Sequence, residues 1–286
     1  MIKDIYKQGK TVFSFEVFPP KKNDEIYDIY KTLDTLKTLS PDFISVTYGA
    51  GGSNSKKTAA IASYIKNICE IEPLAHLTAV AMDEAFLLQI LQELQSKGVA
   101  NVLALRGDRP RDMSDEDYEN RIFRHAEDII RLIHANSDVS VAAACYPEVH
   151  PESESRESDL FYLKQKIDSG VDFLMTQMFF DNAKFYAFRE DVRKAGIDIP
   201  ISAGIMPITS AKQLGTSVSL SGTSVPNALS SLISKYADSP EDMRKAGIDY
   251  AIQQINDLIA NGIDGIHLYT MNKAATATEI MQQIDR

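Results

Sequence analysis

The chain has 286 residues, 44% of them hydrophobic, with two cysteines and a formal net charge of −10. That length suits one large domain or two small ones, and no apolar run approaches the roughly 18 residues of a membrane span. An acidic balance without any Lys/Arg cluster argues against nucleic acid or an anionic membrane as the main partner. The first residues, Met1-Ile2-Lys3-Asp4-Ile5-Tyr6-Lys7, carry no apolar signal core, and Cys69 and Cys145 form no CxxC pair. A reducing, cytoplasmic setting without a disulfide framework is therefore expected.

Runs rich in β-branched residues alternate with helical periods along the chain. Strands are expected at Thr11–Val17, Asp42–Tyr48, Leu74–Val80, Val99–Leu105, Val139–Cys145, Val171–Met178, Ile199–Gly204 and Gly265–Tyr269. Helices are expected at Asp24–Leu39, Lys56–Cys69, Glu84–Lys97, His125–Ala135, Glu157–Ser169, Ala183–Ala195, Ser210–Leu220, Pro240–Ala260 and Lys273–Gln283. Gly98, Gly170, Gly196 and Gly262 follow helices directly, where a C-terminal cap favours glycine. About eight βα units with no hairpin signal predict a parallel sheet, and the count favours a single (β/α)8 TIM barrel spanning residues 1–286. Two polar loops, Asp108–Asn120 and Tyr146–Ser158, follow strands four and five and so belong to the C-terminal face, where barrel enzymes keep their active sites.

In the first strand, Phe13, Phe15 and Val17 share one face, and Ser14 and Glu16 share the other. A carboxylate at that strand end is costly to bury without a task or a partner. The second strand ends in Thr47-Tyr48-Gly49-Ala50-Gly51-Gly52-Ser53, whose glycines admit either a ligand's close approach or a tight βα turn. His76 and Thr78 share a face in the third strand, and a lone barrel histidine also serves as an ordinary core residue. The fourth ends in Arg106-Gly107-Asp108, either a local ion pair or a fixed charge pair beside a cofactor. After the fifth, Pro147 and Pro151 stiffen a loop displaying Tyr146, Glu148 and His150. Gln177, near the sixth strand's end, can donate to and accept from a heteroaromatic ring, or satisfy backbone at the rim. No zinc spacing and no GxSxG nucleophile elbow occur, so neither a metal site nor acyl-enzyme hydrolysis is expected.

Seven segments, in order, resemble the methylenetetrahydrofolate reductase family: Phe13–Lys21, Ser45–Gly52, Ala104–Asp108, Tyr146–Glu152, Thr176–Asp181, Ala203–Ile208 and His267–Asn272. Its length is similar to the short bacterial form, which lacks the regulatory domain of eukaryotic members. The resemblance implies a barrel holding FAD at the strand C-termini and two half-reactions at one flavin. NADH or NADPH would deliver hydride to the flavin. Methylenetetrahydrofolate would then bind in the same place, open to an iminium and take the hydride. The product, 5-methyltetrahydrofolate, feeds methionine synthesis.

On the same resemblance, Glu16 is the general acid that protonates folate N10, and burial beside phenylalanines would raise its pKa. Asp108 is the carboxylate near flavin N1, whose charge favours the cationic iminium. Thr47, Tyr48, Ala50, His76, Arg106, Gly107, Asp108, Tyr146, His150, Asp159 and Lys166 match flavin-contacting positions, with Arg106 and Lys166 expected at phosphate or ribityl groups. Gln177, Gln213 and Lys273 match substrate-side positions. Bacterial members can carry an aromatic after the seventh strand that packs on nicotinamide or folate. Here that position is Ser217, in a Ser/Thr-rich loop, Gly215–Pro226, with no aromatic between Ile208 and Lys235. The family also implies a homo-oligomer. Two alternatives stay open on residues alone: another flavin barrel acting on an imine, such as a proline-type dehydrogenase, and a flavin- or folate-binding protein without turnover. Glu16 and Gln177 favour a pterin over the former, and a retained proton donor argues against the latter.

Overall fold

The computed structural model describes residues 1–20, 22, 25–48, 55–110 and 112–285. Eight strands close into a barrel in chain order. They are β1 (Val12–Val17), β2 (Phe43–Val46), β3 (Glu72–Thr78), β4 (Asn101–Leu105), β5 (Ser140–Cys145), β6 (Phe173–Thr176), β7 (Ile201–Ile205) and β8 (Gly265–Tyr269). Every neighbouring pair is parallel, including the closing seam between β8 and β1. The expected barrel and all eight strand positions hold, most of them with shorter ends. β3 starts two residues earlier than expected and stops at Thr78, because Ala79 and Val80 give their N–H groups to Arg106 O (3.2 and 2.8 Å) and turn the chain. β6 stops at Thr176, two residues short of the expected end.

Twelve helices lie among the described residues: α1 (Ile2–Tyr6), α2 (Ile26–Lys37), α3 (Ser55–Asn67), α4 (Glu84–Ser96), α5 (Asp115–Glu119), α6 (Ala126–Asn136), α7 (Arg156–Asp168), α8 (Asn182–Lys194), α9 (Ala211–Ser221), α10 (Asn227–Lys235), α11 (Pro240–Ala260) and α12 (Ala274–Met281). Asp83, Ser155, Asp181 and Ser210 cap their helices by accepting backbone N–H bonds. The four helix-terminal glycines all have positive φ, as expected. Three helices depart from the expectation. α5 occupies part of the polar loop after β4, and α10 follows Pro226 with Leu229 buried. The third, α1, stoppers the barrel.

Strand alternation sorts the interior into two compartments. Phe13, Phe15 and Val17 face outward into the core between sheet and helices, as expected. Inside, Val12, Phe43, Leu74, Leu103, Ala142, Phe173 and Met175 form a floor capped by Ile2 of α1. Ile2 N donates to Asn101 Oδ1 (2.8 Å), and Tyr6 OH bonds Ser202 Oγ (2.7 Å). Above that floor the lumen turns polar.

Candidate active site

Glu16 occupies the lumen near the C-terminal end of β1, opposite Ser45 of β2 and Tyr269 of β8. Its Oε2 lies 3.5 Å from His76 Nε2 and 3.6 Å from His267 Nε2. His267 is fully buried, stacked over Phe43 with centroids 6.1 Å apart, and its Nδ1 bonds Ser14 Oγ at 2.7 Å. Ser45 Oγ approaches His267 Nε2 at 3.4 Å. One carboxylate is thus held between two imidazoles contributed by β3 and β8.

The expected rise in the Glu16 pKa is corrected by this arrangement. Burial is the largest influence and does raise it, but His267, His76 and Ser45 together outweigh burial, so the carboxyl lies below its ordinary value. Burial pushes His76 down to about 4, against the pull of Glu16, so this ring is neutral at pH 7. Ser14 can serve either protonation state of the carboxyl. When its hydroxyl donates to Ile266 O (3.3 Å), it accepts from His267 Nδ1–H and leaves Nε2 to accept from a Glu16 carboxylic acid. When it donates to Nδ1, Nε2 carries the hydrogen toward a Glu16 carboxylate.

Around this carboxylate the strand ends supply donors. Gln177 gives its backbone N–H to Cys145 O (2.8 Å), and its Oε1 accepts from Met178 N (2.9 Å). The carboxamide nitrogen, without a protein partner among the described residues, stays available as a donor. Tyr269 OH donates to Thr176 O (2.9 Å), and burial raises its pKa far above normal. His76 Nε2 is buried without a hydrogen-bond partner among the described residues.

A second wall rises from β4, β5 and α7. Arg106 does not pair with Asp108; it forms a bidentate bridge to Glu152 (2.5 and 2.8 Å). Asp108 is exposed, and after burial its charge is the next influence raising the Tyr146 pKa to about 12. Gly107 has φ +89, and a Cβ there would lie 2.9 Å from Thr78 Cβ, so only glycine fits between β3 and β4. Tyr146 and His150 meet edge to face with centroids 4.5 Å apart. His150 Nδ1 accepts from Glu152 N (3.0 Å), so the neutral ring carries its hydrogen on Nε2. Asp159 accepts from His150 N and Ser153 Oγ, both at 3.3 Å. Lys166 reaches Ala144 O at 2.5 Å, and burial lowers its pKa.

The remaining expected positions divide. Thr47 gives its N–H to Val17 O (3.0 Å) and accepts from Thr58 Oγ1 (3.0 Å), and Tyr48 is buried beside it. Ala50, with Gly49 to Ser53 and Lys21, lies outside the described residues. Gln213 is committed to its own loop, accepting from Thr209 N and Oγ1 (2.9 Å each) and donating to Pro207 O (2.9 Å). Lys273 is exposed at the start of α12. Ser217 is buried on α9, which continues to Ser221; the expected loop therefore begins only at Gly222. His267, Ser14, Ser45 and Tyr269 are site residues that the sequence reading did not single out. The parity of His267 with Gly265 and Tyr269 in the last strand was the available signal.

The wall suits a flat, anionic, heteroaromatic cofactor. An orphaned buried imidazole, a glycine with no room for a side chain, an edge-to-face Tyr–His pair and the Arg106 and Lys166 cations provide the donors and surfaces that such a group needs.

A closed parallel barrel whose strand ends collect a carboxylate, two imidazoles, a carboxamide and a basic wall has the design of a barrel enzyme. More narrowly, the chain belongs to the methylenetetrahydrofolate reductase family, whose profile matches residues 1–285. It is 35% identical to methylenetetrahydrofolate reductase (NADH) 1 of Arabidopsis thaliana, over 99% of this chain and 50% of that protein. It is 34% identical to 5,10-methylenetetrahydrofolate reductase of Pectobacterium carotovorum, over 93% of this chain and 88% of that one. The chain thus spans about half the length of the plant relative and most of the bacterial one. A solved Clostridium thermocellum protein, described as uncharacterised and as binding two copies of 5-methyl-5,6,7,8-tetrahydrofolic acid, shares the fold with TM-score 0.67 at 14% identity, each chain 99% covered.

Proposed function

We propose that this protein reduces 5,10-methylenetetrahydrofolate to 5-methyltetrahydrofolate, using FAD and a reduced nicotinamide, NADH or NADPH, in two successive half-reactions at one mouth. The observation that carries this reading is the lumenal Glu16 carboxylate held between His76 and His267, in a chain of this family.

FAD, when bound, would supply the hydride-transfer chemistry that links the nicotinamide to the folate's one-carbon unit. Thr47, Tyr48, His76, Arg106, Gly107, Tyr146, His150, Asp159 and Lys166 would hold it, and Ala50 joins them by its match to the family sequence alone. Glu16 donates the proton that opens the imidazolidine ring at N10. Its carboxyl is depressed in the free protein, so folate must cover it, exclude water and favour the protonated form before the transfer. The Ser14–His267 pair then accepts that form without leaving an unpaired polar atom. Gln177 donates its amide N–H to the pterin. Asp108 places negative charge where the opened folate becomes a cationic iminium.

The test is an anaerobic visible spectrum of the protein with FAD, before and after NADH or NADPH, then after methylenetetrahydrofolate. Bleaching by the donor and recovery of colour with the folate are expected. Bleaching without recovery would keep the flavin and reject the folate; a protein that holds no FAD would reject the reading as a whole.

A further inference from the structure

The β8–β1 seam continues beyond the strands that define it. Ladder pairing ends at Glu16 opposite Tyr269. Past that point Thr270 Oγ1 donates to Glu16 O at 2.6 Å. Two residues on, the Asn272 carboxamide takes both backbone groups of Phe18: Phe18 N donates to Oδ1 (3.0 Å), and Nδ2 donates to Phe18 O (2.9 Å). The opposite amide orientation would set N–H against N–H and oxygen against oxygen, so the pairing fixes which way the side chain points. Asn272 N in turn donates to Thr270 Oγ1 (3.2 Å).

The backbone is bent to achieve this. Met271 and Asn272 have φ of +52 and +56, two consecutive residues in the left-handed region. Asparagine tolerates that region better than other residues with a side chain, and its amide imitates a strand rung. A tight turn leading into α12 requires neither double engagement of Phe18 nor a bond to the carbonyl of Glu16. Both bonds act on the short segment that carries the carboxylate, at the rim, where the β8 ladder has ended and only the β2 edge still pairs, through Val17 opposite Val46.

We infer that Asn272, with Thr270, is a positioning residue for Glu16: the pair extends the seam by side-chain rungs and sets the carboxylate against its imidazole neighbours. This rests on the reading above for the reaction that Glu16 serves. Displacing a reacting group by a fraction of an ångström lowers the rate of its own step without weakening the binding of either redox partner.

Two variants test it. Asn272→Gly keeps the positive φ and removes both rungs; Thr270→Val keeps shape and removes the bond to Glu16 O. In stopped flow with FAD, each is expected to slow flavin reoxidation at saturating methylenetetrahydrofolate by about tenfold or more. Flavin reduction by NADH or NADPH should keep its wild-type rate, and half-saturation by the folate should stay unchanged. A staple that merely stabilises the fold would instead shift both half-reactions together, and a fault transmitted through the neighbouring Lys273 would raise half-saturation. Either result, or wild-type rates in both variants, overturns the inference. Should Asn272→Gly fail to fold, Thr270→Val decides alone.

The second readout needs neither cofactor nor turnover: the carboxyl titration of Glu16 by carbon NMR in the ligand-free protein, assigned with Glu16→Gln. The titratable groups facing that carboxylate are His76 from β3 and His267 and Tyr269 from β8. They keep their places while Glu16 shifts, so its midpoint should move in both variants; an unmoved midpoint overturns the inference. If wild-type protein fails to reduce the folate, the proposed reaction falls and this titration alone judges the positioning role.

Discussion

The two ends of the barrel are built by the same eight strands and differ in what their inward side chains do. At the floor, apolar groups fill the lumen and polar ones are mostly spent on each other. Asn101 accepts from Ile2 N and donates to Glu72 Oε2 (2.9 Å) and Pro73 O (3.1 Å), though Ser140 Oγ is buried without a partner. At the mouth, the Glu16 carboxylate stands among groups with hydrogen-bonding capacity to spare: His76 Nε2 and the Gln177 carboxamide nitrogen lack partners among the described residues. Within the lumen, apolar packing is concentrated at one end, and capacity for a ligand is kept at the other. Each strand serves both, and its reading frame of alternation decides which residue goes where.

The sharpest way to break this division is Glu16→Gln. It should slow the folate-dependent step by roughly 10²–10⁴, leaving flavin reduction by the nicotinamide intact and thermal stability near that of wild type. Stopped-flow measurement of each half-reaction checks it, and equal losses in both would mean that Glu16 is not the acid. The converse change is Phe173→Ala at the floor, where the ring packs against Phe43 and Tyr6. It should cost about 3–5 kcal/mol in denaturant unfolding, while the remaining folded protein keeps the wild-type ratio of the two half-reactions.

A third experiment uses pH. His76 titrates at about 4 in the folded chain, against 6.5 as its ordinary value. Between those values the unfolded state binds the extra proton, so its contribution to stability is fully present above pH 6.5 and is lost as pH falls toward 4. His76→Asn should flatten the fall in unfolding free energy between pH 6.5 and 4; an unchanged slope would show that the ring is not held neutral. The smallest effect belongs to Glu152→Gln. Its partner Arg106 is half-buried, but the glutamate side chain is 59% exposed, so the pair contributes less than about 1 kcal/mol. Equilibrium unfolding should barely register the change, whereas a large loss would place that bridge in the stabilising half of the molecule.

Much of this arrangement was legible from residues alone. The alternation of β-branched runs with helical periods gave the barrel, and the parity of Phe13, Phe15 and Val17 against Ser14 and Glu16 gave the inward carboxylate. His76 was marked by sharing a face with Thr78 in the third strand, and Gln177 by its place near the end of the sixth. What surrounds Glu16 was not legible, because its neighbours come from β3 and β8 and only barrel closure brings them together. Counting burial without His267 therefore gave the wrong direction for its pKa. A local Arg106–Asp108 ion pair was one of two readings left open by the sequence, and the favourable geometry lay instead with Glu152 in the next loop. α1 escaped notice because one turn bearing Ile2, Ile5 and Tyr6 is too short to establish a period. α10 did carry a signal, in the spacing of Leu229, Leu232 and Ile233 behind Pro226.

Closure of the seam also has a consequence in time. Ser14 and His267 stand 253 positions apart in the chain yet share a hydrogen bond. A ribosome adding about 5–20 residues per second needs on the order of ten to fifty seconds to span that gap. Throughout that interval β1 waits with one edge of its backbone unpaired, which is the surface that invites another chain to add a strand. The polar pocket around Glu16 therefore assembles last, when β8 emerges and docks. A nascent chain of this protein should need protection of its first strand for most of its own synthesis.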